Sequence, residues 1–287
     1  MYSKQKPSVT NILIFVALFL AVVSTAMLLV GLFGGNAASV ETQVPTTEPT
    51  EPPTEPEPTL PPPELNPYGP LDFQYGKRYL KLREGESITG IDVSYHQKDI
   101  DFKKVKASGV DFVIVRMAYR GYGTGKIADD THAITYLDQA CEAGLKVGVY
   151  FFSQALTPEE AEEEALYLLE LIRDRDITMP VVYDWEKVSG VENTRTENMD
   201  RETLTQCAKV FLETVENAGY DAMLYFNRRQ AKTLLDLSQL KEYDFWLAAY
   251  TDRMEFPYKI KMWQYTNTGR VPGIEGDCDI NIYFPET

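Results

Sequence analysis

From residue 88 the chain alternates short apolar runs with amphipathic stretches, and this rhythm constrains the fold more than any other feature. Runs at 88–94, 111–119, 146–152, 180–186, 222–227, 245–250, 261–265 and 279–283 read as strands. Helical patterns fall between the earlier ones, over 102–107 and 128–143, in stretches opening at Thr157 and Asp200, and over 229–237. The clearest start is Thr157-Pro158-Glu159-Glu160, an N-cap, a proline at the first helical position and a glutamate to close a capping box. Ala161, Ala165, Leu168, Leu169 and Ile172 then share one helical face. Leu204, Ala208, Phe211, Leu212 and Val215 do the same behind Asp200. Alternating strand and helix implies a parallel sheet. Eight strands in about 200 residues predict an α/β fold, an irregular TIM-like (β/α) barrel whose last third is stripped of helices. An open doubly wound sheet is the alternative, weakened because no glycine-rich dinucleotide fingerprint follows the first strand. Residues 121–126 mimic a phosphate loop, but Ile127 stands where Ser or Thr is needed and Arg120 where the first Gly belongs. They read as a flexible loop over the barrel mouth.

The first 87 residues obey other rules. Residues 12–35 carry no charge, and as a helix they would span roughly 36 Å, more than the ~30 Å hydrocarbon core of a bilayer. Lys4 and Lys6 precede the run and the next charge is Glu41, so residues 1–11 are expected in the cytoplasm and the rest outside it. A transmembrane anchor over 12–35 is the expectation, a cleaved signal peptide the alternative. Eleven of the 17 prolines lie between Pro45 and Pro70. Residues 36–70, rich in Pro, Thr and Glu, have little to bury and are expected to form a disordered, extended stalk. Residues 71–87 are a lead-in with no evident structure, and 88–287 are expected to form one monomeric domain.

Composition narrows the function. The net charge of −15 argues against generic nucleic-acid binding. Three cysteines make no disulfide framework, and Cys141 and Cys207 fall in helical patterns where a free thiol acts as a small buried apolar group. His96 and His132 are the only histidines, so no metal site or cofactor is expected. His96 has a structural role or a contact with substrate open to it. No Gly-x-Ser-x-Gly nucleophile motif occurs.

Acids mark the strand ends. Asp92 lies near the end of the first strand, Asp184 and Glu186 end the fourth, and Asp279 opens the eighth. Asp184 and Glu186 are two apart on a strand and share a face. Like charges in a partly desolvated site push one pKa up, which suits a general acid. Taken singly, Asp92 reads as a helix cap and Asp279 as a turn residue; the Asp184–Glu186 pair resists such a reading, since two charges ending an apolar strand cost stability. Aromatics gather at the same ends, among them Tyr119, Tyr150, Tyr225, Tyr250 and Trp263, and flat rings beside acids suit a sugar polymer. Tyr183 should point away from the cleft.

The blocks 92–97 (Asp-Val-Ser-Tyr-His-Gln), 112–116 (Phe-Val-Ile-Val-Arg), 148–152 (Gly-Val-Tyr-Phe-Phe), 183–186 (Tyr-Asp-Trp-Glu), 263–265 (Trp-Gln-Tyr) and 279–281 (Asp-Ile-Asn) together resemble, in order, the family 25 glycoside hydrolases. These are muramidases, or lysozymes, that cut between N-acetylmuramic acid and N-acetylglucosamine in peptidoglycan. The resemblance covers about residues 88–285. It implies an irregular (β/α) barrel, Glu186 as proton donor, Asp184 as the partner that orients or stabilises the reacting sugar, and Asp92 and Asp279 as the other acids of the cleft. It places Tyr150 near the acetamido group. Tyr119, Tyr225, Tyr250 and Trp263 are the other expected substrate contacts, and glycan strands the expected partner. A wall-binding module that no longer cuts, and a hydrolase of another N-acetylglucosamine polymer, are the alternatives.

Overall fold

The computed structural model of the chain describes residues 60–188 and 190–285. The expected anchor at 12–35 and most of the stalk lie outside them. Among the described residues no helix is long and apolar enough to cross a membrane.

Eight strands close into a barrel: β3 (Ile88–Val93), β4 (Phe112–Arg120), β6 (Lys146–Ser153), β7 (Val181–Trp185), β8 (Ala222–Asn227), β9 (Asp244–Ala248), β10 (Met262–Gly269) and β11 (Cys278–Tyr283). Each corresponds to a run read from the sequence. Neighbours are parallel from β3 round to β10, but β11 runs antiparallel to both β10 and β3, which corrects the all-parallel expectation. Its register sets Asp279 opposite Asp92 and Asn281 opposite Gly90.

The period-2 alternation of strands sorts side chains into two cores. Phe112, Ile114, Val182, Met223, Trp246 and Met262 fill the barrel interior. Val113, Val115, Val181, Tyr183, Leu224, Leu247 and Trp263 face outward into the larger core. Tyr183 therefore points away from the cleft, as expected. Two glycines make room in the interior. A Cβ on Gly90 would lie 2.1 Å from the Phe112 ring, and one on Gly148 would lie 2.7 Å from Ile114 Cδ1 and from the Pro180 carbonyl.

The outer core is covered by α1 (Phe102–Ala107), α2 (Ala133–Glu142), α3 (Pro158–Ile172) and α4 (Arg201–Asn217), with the short α5 (Arg228–Thr233) after β8. Thr157 caps α3 and Asp200 caps α4 through their side chains, as the sequence indicates. The α3 capping box differs: the Glu160 carboxylate accepts from Leu156 N, one residue before the cap. The pattern at 128–143 is helical only from Ala133 on. Its start joins β5 (Ile127–Asp129), which pairs antiparallel with the end of β4. Arg120 ties down the intervening loop, so residues 121–126 are no flexible cover. Its guanidinium donates to the Gly125 carbonyl at 2.8 Å and to Glu164 and Glu163 of α3 at 2.6 and 2.7 Å.

The helix-poor last third has a different cover. The lead-in folds as a hairpin of β1 (Phe73–Tyr75) and β2 (Leu80–Leu82). Phe73 meets Trp263 of β10 edge-on at 5.0 Å between centroids, and Leu80 N donates to the Tyr265 hydroxyl at 3.3 Å. Residues 60–70, assigned to the stalk by composition, lie along the same unit: Leu65 bridges Tyr258, and Glu64 pairs with Lys259 at 3.0 Å. Pro63 is buried. Cys207 and Cys278 are buried free thiols; Cys141, also free, is exposed on α2, against the burial expected of it.

Candidate active site

The alternation that fills the lower barrel with apolar side chains continues upward with polar ones. Asp92, Asp184, Glu186 and Asp279 line one cleft of about 350 Å3 at the barrel mouth, with Tyr150, Tyr225 and Tyr250. Asp279 reaches this rim because β11 is reversed. In a parallel barrel a residue that opens a strand would sit at the opposite end.

Amides hold Asp92. Gln264 Nε2 and Asn281 Nδ2 both donate to its Oδ2, at 2.9 and 2.8 Å. Each amide is itself oriented through its oxygen. Tyr225 and Tyr250 donate to Gln264 Oε1 at 3.0 and 3.2 Å, and Trp246 Nε1 donates to Asn281 Oδ1 at 2.9 Å. With the oxygens so occupied, the NH2 groups must face the carboxylate. Arg116 is the only lysine or arginine among the described residues of the cleft wall. Asp130 fixes it, accepting from Nε at 2.9 Å and also receiving Tyr95 N and His132 N. The guanidinium carbon lies 5.0 Å from the Tyr95 ring centre and 5.4 Å from that of Tyr119.

Crowding and burial separate the proton affinities of the four acids. Burial raises Asp92 to about 6, with Glu186 adding to it and the amides of Asn281 and Gln264 opposing. Asp279 rises to about 9, through burial and then the charges of Asp92 and Glu186. Burial first, then Glu186 and Asp92, carry Asp184 well above the usual carboxylate range, against the pull of Arg116. Glu186 is raised by burial. Among the described residues Asp184 Oδ1 is buried with no hydrogen-bond partner. The cleft therefore holds protonated and ionised carboxyls side by side at neutral pH, which acid catalysis needs. Among the described residues no group of three or more His, Cys, Asp or Glu is arranged to hold a metal ion.

The model of the glycosyl hydrolases family 25 matches residues 91–274. The chain belongs to this family. It is 27% identical over 197 residues to the autolytic lysozyme of Clostridium acetobutylicum, a match spanning 68% of this chain and 56% of that protein. Among solved structures it is similar to the modular autolysin LytC from Streptococcus pneumoniae in complex with a synthetic peptidoglycan ligand. There the TM-score is 0.62 and the identity 30%, over 69% of this chain and 47% of LytC. The chain thus spans about half the length of these two relatives, 56% and 47%. A family 25 glycosyl hydrolase from Bacillus anthracis shares the fold at 22% identity and a TM-score of 0.54, over 74% of this chain and 94% of that one.

Within the family 25 blocks the structure sorts the expected contacts. Tyr150 and Tyr225 are buried in the cleft wall, and Tyr250 stands on its rim, 56% exposed. Trp263 does not reach the cleft. It lies on the outward parity of β10, fully buried, with Nε1 bonded to the Ala249 carbonyl. Tyr119 does not line the cleft either. A register shift between Arg116 and Ala118 pairs Tyr119 with Phe152 and keeps it on the face of Arg116, where its ring packs against that guanidinium. His96 lines the cleft. Arg116, Trp246, Gln264 and Asn281 were not singled out from the sequence. Parity was their signal: Arg116 follows Ile114 by two, Gln264 follows Met262 by two, and Asn281 follows Asp279 by two.

Proposed function

We propose that the chain is an N-acetylmuramidase that hydrolyses the β-1,4 bond between N-acetylmuramic acid and N-acetylglucosamine in peptidoglycan. The observation that carries this reading is the meeting of four carboxyls, on β3, β7 and β11 and just past the end of β7, in one aromatic-walled cleft. Family membership and the names of the two relatives, a lysozyme and an autolysin bound to a peptidoglycan ligand, support it. Glu186, whose pKa is raised by burial, gives its proton to the glycosidic oxygen as the C1–O bond breaks. Positive charge then develops on the sugar ring. Asp92, which two amides hold in the ionised form, supplies the compensating negative charge. Asp184 steadies the reacting sugar, and its unpartnered Oδ1 gains a partner in an acetamido group. Asp279 stays protonated at neutral pH and donates to the bound sugar. Water adds to C1 and gives its proton to a cleft carboxylate, from which Glu186 is reprotonated.

Glu186→Gln keeps the side-chain volume and removes the acid. Clearing of purified peptidoglycan should fall about 10³-fold, with the melting temperature unchanged. Clearing at the normal rate would remove Glu186 from the reaction.

The uncharged run at 12–35 and the flanking Lys4 and Lys6 support a membrane tether with the barrel outside the cytoplasm. Tethering raises the effective concentration of an acidic domain at a polyanionic wall that would otherwise repel it. Membrane fractionation checks this: the full chain should pellet with membranes and stay there in high salt. Recovery from the medium, shortened at its N-terminus, would mean a cleaved signal peptide.

A further inference from the structure

Two more hollows, of about 350 and 310 Å3, share Glu186 with the cleft. The first is lined by Tyr225, Asn227, Arg228, Arg229 and Tyr250. The second is lined by Trp185, Lys187, Thr196, Asn227 and Arg229. Both contain Asn227 and Arg229, so together they form a groove that leaves the reacting centre over the ends of β7 and β8. Its lining is cationic. Lys187, Arg228 and Arg229 face it, and its acids are Glu186 itself and Glu197. Among the described residues none of the three cations sits in an ion pair. Among the described residues Lys187 Nζ donates only to the Glu197 carbonyl, at 3.3 Å.

The backbone that carries the arginines is fixed. Asn227 Oδ1 accepts from Arg229 N and Gln230 N at 3.0 Å each. Gln230 Oε1 receives Asn227 N in return, and Gln230 Nε2 donates to the Trp185 carbonyl, one residue before Glu186. The backbone that carries the two arginines is thereby held to β7 beside Glu186. In a chain of net charge −15, such a patch beside the proton donor fits an anion attached to the substrate near the scissile bond. On the muramidase reading, on which this inference rests, muramic acid bears a peptide stem with free carboxylates. Paired guanidinium groups match carboxylates in geometry and charge.

We propose that Lys187, Arg228 and Arg229 form a subsite for stem-peptide carboxylates, so that the enzyme selects peptide-substituted glycan. The test compares the full chain with a triple variant, Lys187→Gln, Arg228→Gln and Arg229→Gln, on intact peptidoglycan and on the same glycan stripped of its stems. On intact substrate the variant should raise KM about tenfold at low salt, with kcat nearly unchanged, since each exposed pair contributes modestly. On stripped glycan both constants should stay at wild-type values. Added salt should raise the wild-type KM on intact substrate and leave the variant's nearly flat. An equal loss on both substrates, or no loss on either, would overturn the subsite and leave the muramidase reading standing. If the wild-type chain hydrolysed neither substrate, both would fall.

Discussion

The lower and upper halves of the barrel interior are built by the same strands with the same alternation, yet they answer to opposite demands. Below, Gly90 yields its space to the Phe112 ring and Gly148 to Ile114, beside Met223 and Met262. Above, two residues further along the same strands, stand Asp92, Arg116, Tyr150, Asp184, Tyr225 and Gln264. The lower layer gains stability from close packing. The upper layer crowds four acids into a space that raises the pKa of each, and it is held open by amide and tyrosine hydrogen bonds. One half bears the cost that lets the other stay reactive.

Substitutions in each half should separate these demands. Gly90→Ala places a methyl group inside the Phe112 ring and should cost about 3 kcal/mol in urea unfolding. Hydrolysis per folded molecule should be nearly unchanged. If stability held, the lower layer would not be close-packed. Gln264→Leu should act in reverse. It removes one donor from Asp92 Oδ2 and frees the hydroxyls of Tyr225 and Tyr250. Hydrolysis should fall by roughly tenfold to a hundredfold, equivalent to about 1.4–3 kcal/mol. The amide favours the ionised carboxylate, so its loss should move the Asp92 limb of the pH–rate profile upward from about 6. A profile that stayed in place would detach Asp92 from the rate.

Asp279→Asn acts on stability alone, and the effect is a gain. The folded-state carboxyl sits at about 9 against 3.8 for an unperturbed one, so between these values the folded chain holds a proton that the unfolded chain releases. Its contribution therefore weakens stability as pH rises through that window. The asparagine variant should be more stable at pH 8 and gain nothing at pH 3.5, as thermal unfolding at the two pH values would register. A gain of the same size at both would place its origin outside the acid cluster.

Much of this contrast is legible in the sequence. Each of the eight barrel strands is announced by an apolar run, and the Asp184–Glu186 spacing shows that both acids share a face. Strand direction is not legible. No local signal reverses β11, yet without the reversal Asp279 would lie far from Asp92. The hairpin at 73–82 was also hidden, because its apolar residues are few and their partner, the bare outer face of β10, is distant in sequence. Trp263 shows what a composition argument misses. An aromatic in the right motif was assigned to the sugar, while the parity of Met262 and Gln264 on either side sends it outward. The same parity, applied to Arg116, Gln264 and Asn281, would have found the groups that hold the acids in place.

The identity of the bond cut tests the central claim most directly. Purified peptidoglycan digested with the full chain, reduced with borohydride and hydrolysed to its sugars, should yield muramitol from the new reducing ends. Glucosaminitol in its place, or no new reducing ends at all, would contradict the muramidase account.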